Sequence, residues 1–336
     1  VTDTINQGGQ GQIHIVKDTK NQEKDEEFVL KQLINKKRLN RFKDEINVCM
    51  SLEHPNIVHI IDFNWENKPP FMVMPYYQNG DLTNLKLDQI SLSQKLEIFK
   101  NITEAVAFAH QNNVVHRDLK PENIFLNDDY DPVVADFGLC FIDNDDGERF
   151  TFTEEAVGSR YYMAPELAEG KIENVTKTSD VYSLGKILYW LLKGNIFDRE
   201  RHRHETNDLT IDNPKREYHL INELLDKMIV EDSNDRLEDA IVALNDLNTL
   251  IRRIENGANC IDVNVPQNCI YCGLGEYKIV SNKPHQIYGK TTMESYFNFP
   301  DDKKWMLFQC DHCLNIQLFR PILKDVPNRW IKEDKK

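Results

Sequence analysis

Apolar positions along this chain fall into short alternating runs near the start, long helical stripes in the middle and short runs again at the end. Ile13 and Ile15 alternate with polar neighbours, as a half-buried strand requires, and Phe28-Val29-Leu30-Lys31 and Phe71-Met72-Val73-Met74 read as two further strands. The period then changes. Leu92, Leu96, Phe99, Ile102 and Val106 recur at intervals of four and three, which predicts a helix with one buried face, and Ser91 with Gln94 supplies a capping box for its first turn. Val181, Leu184, Leu188, Leu191 and Leu192 repeat at the same spacing with apolar residues between them, so this helix is expected to be buried on most sides. In the tail, residues 276–280, 296–299 and 305–309 read as short strands.

A chain of 336 residues with a 40% hydrophobic share exceeds one ordinary domain and can bury a sizeable core, so two domains are expected. The net charge of −14 argues against broad binding to nucleic acid or anionic membranes. That charge is uneven. From Gly257 onward there are 11 Lys and Arg against 9 Asp and Glu, which leaves 30 against 46 before it. The longest apolar run, Ile187 to Leu192, is far short of the ~18–20 residues of a membrane span. No signal-peptide pattern follows Val1, and seven cysteines, an odd number, do not suit a secreted disulfide framework. A soluble protein of the reducing cytoplasm is expected.

The chemistry concentrates in His116-Arg117-Asp118-Leu119-Lys120-Pro121-Glu122-Asn123, with Asp136-Phe137-Gly138 beginning thirteen residues after Asn123. Either motif alone says little; the two at this spacing are specific. They resemble the catalytic and metal-binding loops of eukaryotic-type protein kinases. The resemblance implies that Asp118 accepts the proton of an incoming hydroxyl, that Asn123 and Asp136 hold Mg²⁺ or Mn²⁺ on ATP, and that Lys120 stands beside the transferring group. Asn6 to Ile13 is similar to the glycine-rich loop, with Gly8, Gly11 and Ile13 as nucleotide contacts, although Asn6 replaces the usual first glycine and Gln10 a common aromatic. Lys31 stands where kinases carry the lysine on the α- and β-phosphates, and Val29 would pack on the adenine. Glu45 is its expected helix partner, with Asp44 and Glu26 as alternatives. Met74 would back the adenine pocket, Pro75-Tyr76-Tyr77 would form the hinge with Tyr77 backbone groups on the adenine edge, and Phe125 would lie beneath it. Asp180 would hold the catalytic-loop backbone, Gly194 would end its helix, and Arg236 would pair with Glu166.

The resemblance also implies an activation segment running from Asp136 to Glu166. Arg117 next to the base wants a phosphate or carboxylate. Two readings stay open: Glu154 or Glu155 already satisfies it, or Thr151 or Thr153 is phosphorylated, in trans by a second copy. Ser159 is assigned to the substrate-binding loop, and Lys120 with residues 158–166 resembles serine/threonine rather than tyrosine specificity. Glu122 and the acidic run 143–146 could favour basic substrates but read better as solvated loop charge, and His202 and His204 as exposed polar loop rather than metal ligands.

Cys269 and Cys272, then Cys310 and Cys313, form two Cys-x-x-Cys pairs with 37 residues between them. Four thiolates give a closed tetrahedral Zn²⁺ site, structural rather than catalytic, supplying ~10–16 kcal/mol to a small unit with little core. A redox dithiol is the competitor, His285 and His312 are fallback ligands, and Cys49, Cys140 and Cys260 read as unligated. The unit resembles a zinc ribbon, whose near-neutral charge favours protein recruitment over nucleic acid. The expected architecture is therefore α+β: a bilobal protein-kinase fold with a small β-rich N-lobe (1–77) and a large helical C-lobe (78–256), a linker (257–268) and a zinc-ribbon-like β domain (269–336). ATP, Mg²⁺ or Mn²⁺, structural Zn²⁺ and protein substrates follow from the resemblance, with a nucleotide-sensing binding protein as the alternative.

Overall fold

The structure is a computed structural model that describes residues 3–7, 11–19, 26–137, 160–169, 175–213, 215–255, 277–281, 306–310 and 316–319. The chain divides into two compact units, Val1–Asn248 and Thr249–Lys336.

In the first unit, strands β1 (Asp3–Gln7), β2 (Gly11–Lys17) and β3 (Glu27–Leu33) precede helix α1 (Leu39–Ser51) and strands β4 (Asp62–Asn64) and β5 (Phe71–Pro75). The five strands form one antiparallel sheet in the order β1-β2-β3-β5-β4. Register decides what this sheet presents. Ile13 pairs with Lys31, Lys31 with Met72, and Val29 with Met74. Directly paired residues share a face and alternate residues return to it, so all five side chains stand on one side. Leu33 is on that side too, and it joins Phe42, Ile46 and Met72 in the buried cluster on which α1 rests. Helical spacing from Phe42 and Ile46 then turns Glu45 inward. Gly11 is fixed by crowding: a Cβ there would run into the Gln32 carbonyl oxygen across the pair.

The remainder of this unit is mostly helical. Helix α2 (Leu92–Gln111) carries the expected capping box, with the Ser91 hydroxyl accepting from the Gln94 amide and the Gln94 side chain accepting from the Ser91 amide at 3.0 Å. The short strands β6 (Ile124–Leu126) and β7 (Pro132–Val134) pair with each other, and α3 (Pro165–Ala168), α4 (Lys177–Lys193), α5 (Leu209–Asp212), α6 (Arg216–Met228) and α7 (Ala240–Glu255) follow, α7 running past Asn248, the last residue of this unit. As its apolar pattern predicts, α4 is buried on nearly every side, from Ser179 to Tyr189 and again at Leu191. Gly185 lets it approach α6 closely, since a Cβ would fall 2.8 Å from Ile229 and 2.9 Å from Met228. Gly194 ends it with φ 74, the left-handed conformation that glycine adopts freely. The segment after α1 is tied to β7 by Val58 N–H to Val134 C=O at 2.9 Å and Val134 N–H to Asn56 C=O at 2.8 Å. This is the bilobal arrangement that the resemblance implies.

Two buried polar networks brace the helices. His110, fully buried on α2, accepts a hydrogen bond at Nδ1 from the Ala240 amide (3.0 Å), so its proton is on Nε2 and is donated to Asp180 Oδ2 (2.9 Å). Asp180 also accepts from the His116 amide (2.7 Å) and, at Oδ1, from the Arg117 amide (2.8 Å). Burial alone pushes the Asp180 carboxyl up, but the hydrogen bonds it accepts outweigh this and hold it below the usual carboxylate range. In the second network Arg236 donates to Glu166 at 2.9 and 3.3 Å, to the Thr178 carbonyl and to the Val230 carbonyl, while Ser179 donates to Glu166 at 2.7 Å.

The second unit contains β8 (Tyr277–Ser281), β9 (Met306–Cys310) and β10 (Ile316–Phe319), antiparallel in the order β10-β9-β8. The strands predicted at 276–280 and 305–309 are found within one residue; β10 is additional, and 296–299 lies outside the described residues. So do the linker, Cys269, Cys272, Cys313, Cys140, Cys260, His285 and His312, and Cys310 is described by its backbone alone. Among the described residues, no helix is long and apolar enough to cross a membrane.

Two outcomes follow for stability. Because the folded Asp180 carboxyl lies below its unfolded value near 3.9, its contribution is complete above that pH and is lost as pH falls through the folded value. Asp180→Asn should therefore flatten the acid limb of a melting-temperature profile taken between about pH 3 and pH 7; an unchanged limb would refute this. Arg236→Met strands a buried Glu166 carboxylate and should cost about 3–5 kcal/mol in urea denaturation, and a loss below about 1 kcal/mol would show the pair to be replaceable.

Candidate active site

The sheet face that carries Lys31 looks onto a cleft of about 670 Å³, a volume suited to a small-molecule ligand. Of the predicted nucleotide contacts, Gly11, Ile13, Val29, Lys31, Glu45, Met74, Tyr77 and Phe125 all line it, as do Asn123 and Asp136. Gly8 lies outside the described residues. The walls formed by Ile13, Val29, Met74 and Phe125 are apolar, and Lys31, Glu45 and Asp136 form a charged cluster against them.

In this cluster the Lys31 ammonium sits 2.7 Å from Glu45 and 3.5 Å from Asp136. Burial pulls the lysine down, but Asp136 and Glu45 together outweigh it and its pKa is raised, so it stays charged. The same ammonium holds the Asp136 carboxyl below the usual range, while Glu45 is pushed up chiefly by its own burial. One cation serving two carboxylates leaves the trio net negative. The expected alternatives Asp44 and Glu26 are not the partner; α1 points Glu45 inward. Cys49, one turn on from Glu45, is buried and lines the same cleft, and burial pushes its thiol far up.

The loop from His116 to Asn123 is held from behind by Asp180. His116 accepts at Nδ1 from the Asp118 amide (3.3 Å), so its Nε2 carries the proton donated to the Ala135 carbonyl (2.9 Å), and its ring packs on Phe137 with centroids 4.6 Å apart. Arg117 and Asp136 have φ of 70 and 61, unusual for residues with side chains; the Asp180 bond to the Arg117 amide holds the first in place. Asp118 Oδ2 lies 3.1 Å from the Lys120 ammonium and 3.0 Å from Asn123 Nδ2, which also donates to the Asp118 carbonyl at 2.8 Å. The Asn123 side-chain amide is thus oriented by Asp118. Among the described residues, no group of three or more His, Cys, Asp or Glu could hold a metal ion.

One sequence expectation changes, and further contacts appear. Tyr77, assigned a role only through its backbone, also stacks its ring on Phe125 with centroids 5.6 Å apart and planes at 11°, so it stiffens the floor of the cleft. His202 is buried rather than exposed, bonded through Nε2 to Asp226 at 2.8 Å, whereas His204 is exposed as expected. Met72, Val58, Ile60 and Ala135 also line the cleft without having been singled out; the strand register puts Met72 beside Lys31. Among the described residues, Arg117 Nε and Nη1 are buried without a hydrogen-bond partner. Thr151, Thr153, Glu154, Glu155 and Ser159 lie outside the described residues.

Comparison with known proteins agrees with this geometry. The family model described as the protein kinase domain matches residues 3–246. Serine/threonine-protein kinase PrkC of Bacillus subtilis (strain 168) is 39% identical over 165 residues, 48% of this chain and 25% of its own length. The carbon catabolite-derepressing protein kinase of Secale cereale is 39% identical over 153 residues, 45% of this chain and 30% of its own length. Serine/threonine-protein kinase PknB of Mycobacterium tuberculosis (strain ATCC 25618 / H37Rv) is 34% identical over 160 residues, 46% of this chain and 25% of its own length. This chain thus spans under a third of each of these relatives. A family match over most of the sequence, and a lysine, glutamate and aspartate meeting beside an Asp-Lys-Asn loop, converge on one conclusion: the chain belongs to the protein kinase domain family.

Proposed function

We propose that this protein transfers the γ-phosphate of ATP to serine and threonine hydroxyls of protein substrates. The observation that carries the reading is the Lys31 ammonium joined to both Glu45 and Asp136 in a cleft whose walls are largely apolar. In this reading the adenine lies between Val29 and Phe125, with the backbone of Tyr77 on its edge and Met74 behind. Lys31 holds the α- and β-phosphates, and Glu45 keeps the ammonium aimed into the cleft. Asn123 and Asp136 offer an amide oxygen and a carboxylate, the hard oxygen donors that Mg²⁺ takes; when bound it neutralises phosphate charge. Asp118 orients the acceptor hydroxyl and takes its proton, and Lys120, at 3.1 Å, stabilises the resulting charge. The serine/threonine class is supported by the names of the relatives and by Lys120.

Regulation rests on Arg117. Its orphaned guanidinium nitrogens support a partner from the activation segment, either Glu154 or Glu155, or phosphorylated Thr151 or Thr153. Intact-mass measurement of active protein separates the two, because activity without added phosphate rules out the second.

For the tail we propose a structural Zn²⁺ held by Cys269, Cys272, Cys310 and Cys313, in a unit that recruits a protein partner, with nucleic acid a lesser prospect, and a cytoplasmic location for the whole. The strand register supports this: Tyr277 pairs with Cys310, Cys272 precedes Tyr277 by five residues, and Cys313 follows Cys310 by three. Cys310 therefore lies at the end of the sheet where β8 begins.

Asp118→Ala should lower turnover about 10²–10⁴-fold with little change in melting temperature; equal transfer by variant and natural chain would instead favour a nucleotide-sensing binding protein. Elemental analysis should find one zinc per chain, lost in Cys310→Ser, and zinc-free folded protein would remove the metal from the account.

A further inference from the structure

Lys186 is an unexpected residue in α4, a helix buried from Ser179 to Tyr189. It has no exposed surface, yet it carries an ammonium. That ammonium donates to the carbonyls of Phe197 (2.8 Å) and Arg199 (2.7 Å) and lies 3.8 Å from the Phe197 ring centroid and 5.5 Å from that of Tyr182. Burial draws its pKa down to about 7, against the opposing pull of Glu200 and Asp198. Such an arrangement is costly unless the donors are used, and here they grip the loop that leaves α4. Arg199 is bent to φ 51, a strained value for a residue with a side chain, with its carbonyl turned onto Lys186.

The next residue connects this loop to the segment before α3. Glu200 accepts from the Tyr182 hydroxyl at 3.0 Å, the Tyr182 ring lies 5.0 Å from the Arg236 guanidinium carbon, and Arg236 grips Glu166. Glu166 anchors the chain that runs through Tyr162. Burial, and then the Glu122 carboxylate, push the Tyr162 hydroxyl up.

We infer that Lys186 is a positioning residue for the protein substrate: it fixes the loop from Phe197 to Glu200 and, through Glu200, Tyr182 and Arg236, fixes the segment Arg160–Pro165 against which the acceptor chain docks. The inference rests on the kinase reading for the docking step alone. Lys186 touches neither nucleotide nor acceptor, so its effect belongs to acceptor binding.

The test uses the full chain with ATP, Mg²⁺ and a serine-containing peptide selected on an array by the natural protein. Lys186→Met keeps the bulk and deletes the donors. KM for the peptide should rise about fivefold or more while KM for ATP stays within about twofold. Amide hydrogen exchange should quicken in residues 197–204 and 160–169 and stay unchanged in residues 31–45. Tyr182→Phe removes one hydroxyl bond and should raise the peptide KM by a smaller factor, with the double variant showing less than the product of the two. A folded Lys186→Met protein with unaltered peptide KM and unaltered exchange overturns the inference. If Lys186→Met does not fold, an unaltered peptide KM in Tyr182→Phe overturns it instead. Should the natural protein transfer no phosphate to any acceptor, the kinase reading fails by itself, and loop exchange in the two variants decides the role of Lys186.

Discussion

Asp180 accepts three N–H groups at the centre of the large lobe, and the site is built outward from it. Its partners are one imidazole, from α2, and two consecutive amides, from the loop that carries Asp118. A buried carboxylate without such donors would be strongly unfavourable; with them it fixes a loop that has no regular secondary structure of its own. The Arg117 backbone, held in a left-handed conformation, is tolerated because the carboxylate captures its amide. The geometry of the Asp118 loop thus depends on a residue that does not itself line the cleft.

The opposite wall of the cleft is organised by strand register. One face of a five-stranded sheet gathers Ile13, Val29, Lys31, Met72 and Met74, and the same face receives α1 through Leu33, Phe42 and Ile46. Packing and chemistry therefore share a single surface: the hydrophobic contacts that dock α1 also bring Glu45 to 2.7 Å from Lys31. Asp136 approaches the same ammonium from the large lobe. The net negative trio left by this sharing favours a divalent cation at the site.

Local signals were legible and non-local ones were not. The Ser91 capping box, the stripes of α2 and α4, the Gly194 terminus and the lines of residues around Asp118 and Lys31 could all be read, because each rests on spacing within a few turns or on a dense motif. The three-residue strands β4, β6 and β7 could not, since so short a run has no period and owes its conformation to a partner far along the chain. Residue type misled at His202 and at Lys186. Both are polar and were read as solvent-facing or passed over within an apolar stripe, yet each is buried because a specific acceptor awaits it. Tyr77 shows the same effect, its ring being recruited by Phe125 from 48 positions away.

Cys49 completes this picture. Sulfur chemistry proceeds through the thiolate, and this thiol, shut in beside Glu45 with its proton held tightly, exposes almost no surface. A soft electrophile that enters the cleft would meet at Cys49 a buried, protonated thiol, a far poorer nucleophile than the thiolate.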